Sequence, residues 1–486
     1  MVRLSVNRPE YFNDTADELR LFLGHENEVL EVPWGQEADA RVRLSAENGM
    51  WRAKAEICLN GRRAEYEWAC PAANGDILDI KRKEKRAVKI AAFRAMRELA
   101  GFAPPWGSLT GIRPTRLLRE LIAAEGEGEA IRMMKEDFDV SPDKLRLAWE
   151  TVAVQRPILQ SQTPQDADVY IGVPFCASRC LYCSFASQVR TKNTDMAAYL
   201  DGLCRDIAHG ARILREAGRT VRAVYLGGGT PTVLTQGELE RLLGFALSAY
   251  GGFGRELTVE AGRPDTITKE KLAVLKKYGA GRISVNPQSM NAHTLALIGR
   301  SHTPEDIALA FAMARDMGFD NINMDVIAGL PGETPADMEN TLEAISALGP
   351  ESLTVHTLAL KRSSRLALNP EAYPLPSARD AEEMVLMGER AARALGMRPY
   401  YMYRQKYMRG NLENVGYALP GKECVYNIDM MEDAAAIMAH GAGAMTKCVY
   451  DAARRVERVP APKEISVYLD KIDRLAEAKE KLFQTT

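Results

Sequence analysis

From Asp168 onward the chain alternates short apolar runs with longer amphipathic ones. The runs DVYIGVP (168–174), RAVYLGG (222–228), ELTVEA (256–261), GRISVN (281–286), INMDVIA (322–328) and SLTVHTL (352–358) predict strands. Helical spacing of apolar positions follows them near 195–217, 236–249, 268–278, 290–298, 304–317 and 335–347. Six such βα units with parallel crossovers predict an α/β barrel or partial barrel. Chemistry in such barrels sits on the loops beyond the strand C-termini. Motifs that carry function are therefore expected at strand ends.

The first 165 residues read differently. LFLGHENEVLEV (21–32), ARVRLSAEN and RAKAEICLNGRRAEYEWAC predict short strands up to about residue 80, with turns at Asn60-Gly61 and Asn74-Gly75. KRKEKRAVKIAAFRAMREL (81–99) predicts a helix with Val88, Ala91, Ala92, Met96 and Leu99 on one stripe. Its basic start suits either a nucleic acid or membrane surface, or simply a solvated face. GFAPPW (101–106) breaks the chain, and Pro114 suits a helix start after Ile112-Arg113. Helical patterns run on to about Gln160, and SQTPQD (161–166) is a polar linker. The expected organisation is an α+β extension over 1–165, a barrel over 166–395 and a small carboxy-terminal domain over 396–486.

The loop after the first barrel strand holds three of the eight cysteines, Cys176, Cys180 and Cys183, as C-x3-C-x2-C. Three thiolates can hold a four-iron cluster and leave one iron open, where most such clusters have four cysteine ligands. Zinc is the competing reading, but structural zinc sites want four ligands, and no second cysteine pair or nearby histidine is visible. Three core cysteines are the plainest alternative, and Arg179 between them argues against a fully apolar site.

This spacing resembles the radical S-adenosylmethionine (SAM) enzymes. The wider string Y-I-x-V-P-F-C-x3-C-x-Y-C-x-F resembles the oxygen-independent coproporphyrinogen III oxidase (coproporphyrinogen dehydrogenase) family and the related heme chaperones, in the HemZ-like branch with an amino-terminal extension. The resemblance implies an open six-unit version of the TIM barrel, a [4Fe-4S] cluster on Cys176, Cys180 and Cys183, and SAM on the open iron. One electron from the cluster then cleaves SAM and releases a 5′-deoxyadenosyl radical.

Further motifs stand at the ends of the predicted strands. The triple glycine of Gly227-Gly228-Gly229-Thr230-Pro231-Thr232 lets backbone approach a ligand closely, or only makes a tight turn. Glu260 ends the third strand as a ribose or amino-group acceptor, or as an ion-pair partner of Arg263. The segment from Arg282 to Ser289 includes Gln288, Arg300 follows the next helix, and Asp325 sits in an apolar run where a carboxylate needs a partner. By resemblance, the SAM contacts fall on Tyr170, Tyr182, Gly228, Gly229, Thr230, Glu260, Gln288, Arg300 and Asp325. No catalytic residue is assigned beyond the cluster ligands. Asn286-Pro287 replaces a usual glycine-valine pair. Gly172 stands where a histidine is common, and Phe185 where the best-known branch has a fourth cysteine.

After the sixth strand come His356 and the cations Lys361, Arg362 and Arg365. RPYYMYRQKYMRGNLENVGYALPGKECVYNI (398–428) is dense in Tyr, Met, Arg and Lys. Such a segment suits either a wall for a tetrapyrrole with acidic arms or a peripheral core. Lys361, Arg362, Arg404 and Arg409 are the candidate carboxylate partners, and Cys424 and Cys448 read as ordinary thiols. The resemblance implies oxidative decarboxylation of two propionates of coproporphyrinogen III to vinyls, drawing on two SAM molecules and giving protoporphyrinogen IX. A heme chaperone without decarboxylase activity and a radical heme methylase are the alternatives. The implied partners are a tetrapyrrole substrate and an electron donor such as flavodoxin or ferredoxin, acting on a monomer.

Composition narrows the remaining classes. A formal net charge of −2 gives no global basic field for nucleic acid. No run of 18 or more apolar residues and no cleavable leader is visible, so no membrane partner is expected. The cysteines form no paired framework, and an exposed cluster needs a reducing setting, which together predict a cytoplasmic location.

Overall fold

A computed structural model describes residues 1–24, 27–72, 77–111, 113–405, 409–450 and 455–484. Backbone packing divides them into two units, Met1–Trp149 with Arg404–Leu412, and Glu150–Tyr403 with Glu413–Thr486.

The first unit opens with β1 (Val2–Val6), α1 (Phe12–Leu23), β2 (Val29–Glu31), β3 (Ala40–Glu47), β4 (Met50–Leu59), β5 (Arg62–Pro71) and α2 (Ile77–Ala100). The strands form one sheet in the order β2-β1-β3-β4-β5. Asn60 and Gly61 both take positive φ, 52° and 75°, and close the β4–β5 hairpin as a two-residue turn. Asn74-Gly75 lies outside the described residues. The expected strand at 21–32 is corrected: Leu21–Leu23 end α1, and only Val29–Glu31 is extended. Thr15, Ala16 and Leu19 recur on one face of α1 and bury it, so helical spacing overrides the strand preference of the LFL run. On α2 the stripe Val88, Ala91, Ala92 and Met96 is buried in a core with Leu4, Val42 and Ala55. Two of its lysines pair within the unit, Lys85 with Asp14 at 2.7 Å and Lys89 with Glu18 at 3.1 Å. Then come α3 (Pro114–Glu125), which does start on its proline, and α4 (Glu127–Arg132); α5 (Pro142–Gln160) begins in this unit and ends in the next. Ile112 lies outside the described residues.

The second unit runs β6 (Asp166–Val173), β7 (Phe175–Cys176), β8 (Gln188–Val189), α6 (Met196–Glu216), β9 (Thr220–Gly228), α7 (Gln236–Tyr250), β10 (Glu256–Gly262) and α8 (Lys269–Lys277). It continues with β11 (Arg282–Val285), α9 (Ala292–Leu297), α10 (Pro304–Asp316), β12 (Ile322–Ala328), α11 (Pro335–Leu348), β13 (Ser352–Thr357), α12 (Arg365–Leu368) and α13 (Ala378–Ala394). β6, β9, β10, β11, β12 and β13 are neighbours in that order and all parallel, which makes the expected six-unit partial barrel. The helices start on designed caps. Thr235, Thr303, Thr334 and Ser377 each pair with an acidic residue three positions on, satisfying orphan N–H groups at both ends of the box.

The last segment comprises β14 (Arg398–Tyr403), β15 (Asn414–Ala418), α14 (Val425–Glu432), β16 (Ala436–His440), β17 (Met445–Tyr450), β18 (Arg455–Pro460), α15 (Ile465–Asp470) and α16 (Ile472–Gln484). These strands share the barrel's sheet. β15 pairs antiparallel with β13 at one edge, and β16 pairs parallel with β6 at the other. α14 lies at the N-terminal ends of the strands, where Glu256 accepts from Val425 N–H at 2.8 Å and Asp429 takes Arg222 at 2.7 Å. Tyr400, Tyr401, Met402 and Tyr417 are buried, so the aromatic segment forms core rather than an open wall. Tyr401 packs so closely that a Cβ on Gly416 would lie 1.9 Å from its ring. Among the described residues no helix is long and apolar enough to cross a membrane.

One buried charge fixes the β6 edge. Asp206 on α6 accepts from Lys479 Nζ at 2.5 Å and Tyr468 Oη at 2.9 Å, with His440 Nδ1 at 3.1 Å. Burial opposes its ionisation, but Lys479 and His440 outweigh it and hold the carboxyl far below its ordinary range. Burial also lowers the pKa of His440, so Lys479 supplies the compensating charge. Lys479→Met leaves Asp206 charged and buried, and is expected to lower the unfolding free energy by about 3–5 kcal/mol. Urea unfolding measures this, and adding Asp206→Asn should restore part of the loss.

Candidate functional site

The cysteine loop leaves β6 and returns through β8, with Phe175 and Cys176 paired to Gln188 and Val189. Its backbone rests directly on the end of β9. Gly229 N–H donates to Val173 O at 2.9 Å and Thr230 N–H to Phe175 O at 2.7 Å. A Cβ on Gly229 would lie 2.4 Å from Phe175 O, so only glycine fits. A Cβ on Gly227 would lie 2.9 Å from the Glu260 carboxylate, and Gly228 takes φ +109° beside the Tyr170 hydroxyl. The triple glycine thus admits protein backbone and a carboxylate.

The three thiols are free; Cys180 is buried, Cys176 and Cys183 half-buried. Thr230 Oγ1 donates to Cys176 Sγ at 3.7 Å. Burial pushes the Cys183 thiol up, as do Cys180 and Cys176 nearby, while the Phe185 N–H and Arg179 oppose it. Phe185 itself is 68% exposed and supplies no ligand. The other cysteines of this unit are elsewhere: Cys204 on α6, Cys424 bonded to Glu256, and Cys448 on β17. Among the described residues no three His, Cys, Asp or Glu converge tightly enough for a single ion. A multi-iron group distributes its thiolates over separate irons, so this donor set of three thiols, one hydroxyl donor and one amide donor fits such a group.

Four barrel segments fasten the loop. Arg263 Nη1 donates to Ser178 Oγ at 2.6 Å, and its Nε and Nη2 grip Asp265 at 3.0 and 2.9 Å. Asp265 is held far below the ordinary carboxylate range by His302 and Arg263, against the cost of burial. Leu181 N–H donates to Ile298 O, Leu366 N–H to Leu181 O, and Arg179 to Ser363 O. Arg263 is therefore not the partner of Glu260; it positions the cysteine loop. In A-G-R-P-D (261–265), the sequence signal for this was the arginine two places before an aspartate.

The other expected contacts come from β10, β12, the loop after β11 and the chain after α9. Arg300 is buried, donates to Asn286 O at 2.5 Å and reaches Tyr182 Oη at 3.4 Å; its Nε and Asn286 Oδ1 have no partner among the described residues. Glu260 accepts from Tyr225 Oη at 2.6 Å, and burial, with Asp325 nearby, raises its pKa to about 7. Asp325 accepts from Asn323 at 2.6 Å and lies 3.7 Å from His356 Nε2. Burial opposes its charge, yet His356 and Asn323 keep its pKa low. Gln288 takes φ +67°, a left-handed conformation that marks a constrained site for a non-glycine residue. Its N–H donates to Asp325 O at 2.9 Å, which ties the two together. Tyr170 sits deeper, in a stack with Tyr225 and Tyr426.

The expected carboxylate partners separate. Arg404 belongs to the first unit, lies over the Trp106 ring and donates to Leu109 O and Asn411 O, so it is committed to its own fold. The Arg409 side chain, like residues 406–408, lies outside the described residues. Lys361 and Arg362 remain, on the segment after β13 whose Ser363 Oγ donates to Ser184 O at 3.3 Å.

Residues 170–345 match the Radical SAM superfamily. The chain is 37% identical over 412 residues to the oxygen-independent coproporphyrinogen-III oxidase-like protein HemZ of Bacillus subtilis, covering 83% of this chain and 82% of that one. The heme chaperone HemW of the same species is 32% identical over 195 residues, 40% of this chain and 50% of its own length. In fold, the chain is similar to the coproporphyrinogen III oxidase HemN of Escherichia coli, whose structure was described as that of a radical SAM enzyme. The TM-score is 0.53 at 24% identity, over 66% of this chain and 73% of that one.

Glu260 ionises later in the folded chain than in the unfolded one, so it withdraws stability as pH rises from its ordinary 4.5 through about 7. Glu260→Gln is expected to gain stability relative to the wild type between pH 5 and pH 8. Urea midpoints at the two pH values check this, and an unchanged difference would contradict the buried-carboxyl geometry.

Proposed function

Because this chain belongs to the radical SAM superfamily, and within it to the family of oxygen-independent coproporphyrinogen-III oxidase-like proteins, we propose that it oxidatively decarboxylates propionate side chains of coproporphyrinogen III to vinyl groups. The family's cofactors are a [4Fe-4S] cluster and SAM. Cys176, Cys180 and Cys183 would hold the cluster and leave one iron for SAM, and together these groups supply a radical able to remove hydrogen from an unactivated carbon.

The residues around them bind and orient. Thr230 donates to the Cys176 sulfur and tunes the centre. Glu260, Gln288, Arg300 and Asp325, with Tyr170, Tyr182, Gly228 and Gly229, form the proposed SAM site. Arg300 Nε and Asn286 Oδ1 are buried polar atoms waiting for a partner there. Placing a propionate β-carbon against the radical is a positioning task.

The observation that carries the substrate reading is Lys361. It follows the sixth strand, is half-buried, has its pKa lowered by burial, and has no carboxylate partner among the described residues. A half-buried ammonium is stabilised by an anion, and a propionate supplies one. A second reading, a heme chaperone without decarboxylase activity, is favoured by the 32% identity over 195 residues to the heme chaperone HemW of Bacillus subtilis.

Anaerobic protein with SAM, reductant and coproporphyrinogen III is expected to release carbon dioxide and form vinyl product. Heme binding with no carbon dioxide would instead establish the chaperone reading. Lys361→Met should raise KM for the tetrapyrrole about ten- to a hundredfold while leaving SAM affinity unchanged in a binding titration.

A further inference from the structure

The proposed reaction starts with one electron delivered from outside for each SAM cleaved, an electron released again when the substrate loses carbon dioxide, and one face of the cysteine loop suits a carrier that delivers it. Phe185, two residues past Cys183, is 68% exposed. Val189, the strand partner of Cys176, is 42% exposed, and Leu368 on α12 is 76% exposed. Exposed apolar side chains on the cysteine loop and on the helix in contact with it call for an explanation.

Three cations cluster around them. Arg179, Arg362 and Arg365 are exposed, and none has a carboxylate partner among the described residues. Two other arginines of the same unit that lie near the site are committed to carboxylates, Arg190 to Glu238 and Arg263 to Asp265. The three unpaired cations are brought together by the fold. Arg179 Nη2 donates to Ser363 O at 3.1 Å, between Arg362 and Arg365 in sequence. A Cβ on Gly299 would lie 3.6 Å from both Arg365 Nη2 and Arg179 O. The Ser363 hydroxyl donates to Ser184 O, next to Phe185. The fold thus sets three exposed cations without a carboxylate partner among the described residues beside the cysteine loop that carries the exposed Phe185.

We infer that this patch is the docking surface for an acidic one-electron carrier protein whose redox group lies near its own surface. The inference rests on the cluster reading above. Complementary charge steers such a partner and fixes its orientation, and Phe185 and Leu368 supply the desolvated centre of the contact. In the transfer the carrier is oxidised by one electron and the centre held by Cys176, Cys180 and Cys183 is reduced by one. No atom or proton changes hands.

The test compares reduction of the cluster by a protein donor and by dithionite, followed by absorbance and electron paramagnetic resonance without substrate. Reduced flavodoxin and reduced [2Fe-2S] ferredoxin serve as acidic probes. With at least one of them, the wild-type rate should fall steeply between about 50 and 300 mM salt. Arg365→Glu, and separately Phe185→Ser, should slow that protein-driven reduction about tenfold or more. Reduction by dithionite, and the iron content, should stay within about twofold of wild type. Equal protein-driven rates in wild type and variants, a salt-independent rate, or reduction by neither carrier would each overturn the docking surface. So would a parallel loss with dithionite, which would mean that these residues maintain the centre itself. A wild-type protein that dithionite does not reduce would instead overturn the cluster reading on which this one rests.

Discussion

The backbone of the cysteine loop lies directly on the end of the second barrel strand, and that contact sets the terms for everything around it. The hydrogen bonds from Gly229 to Val173 and from Thr230 to Phe175 leave no space for a Cβ at Gly229. They bring the Thr230 hydroxyl to Cys176. Gly227, two residues earlier, yields its side-chain volume to Glu260. A three-residue run without side chains thus joins the thiols, a hydroxyl donor and a carboxylate in one place. The loop is also tied at Ser178 by Arg263 and at Leu181 by the chain after α9 and by α12. The geometry of three thiols on a long loop is therefore dictated by the barrel and not by the loop itself.

Charge is handled in two opposite ways in this unit. At the β6 edge, Asp206 is fully buried and kept ionised by Lys479, which locks α16 and β16 onto α6. The same lock holds Gly441 against Gly172, just before the cysteine loop: a Cβ on Gly441 would lie 2.5 Å from Gly172 O. In the barrel mouth, Glu260 and Asp325 are neighbours driven apart in their ionisation. Glu260 is raised to about 7, and Asp325 is kept low by His356 and Asn323. Two carboxylates in one site with different proton affinities can present one anion and one donor at neutral pH. The first arrangement serves stability; the second leaves the site able to accept a polar ligand.

Much of this was legible in the chain itself. The six parallel strands and their helices fall within a few residues of the expected ranges, because continuous apolar runs, amphipathic spacing and threonine or serine caps all point the same way. The cysteine spacing and the strand-end motifs were equally plain, because short-range chemistry is written contiguously. Strand preference misread Leu21–Leu23, where the burial of α1 decided for a helix. The Tyr- and Met-rich segment at 398–403 looked the same whether destined for a wall or a core, and pairing of β14 with β15 made it core.

Sequence alone determined which residues are candidates for the chemistry and in what order they meet the barrel, since both depend on local periodicity and on spacing along the chain. Only the tertiary structure decided which charges are spoken for. Arg404 is taken by Leu109 O and Asn411 O, and Arg263 by Asp265 and Ser178, whereas Lys361, Arg179 and Arg365 have no carboxylate partner among the described residues. An arginine reads identically in any sequence; its role depends on which groups the fold brings within hydrogen-bonding distance.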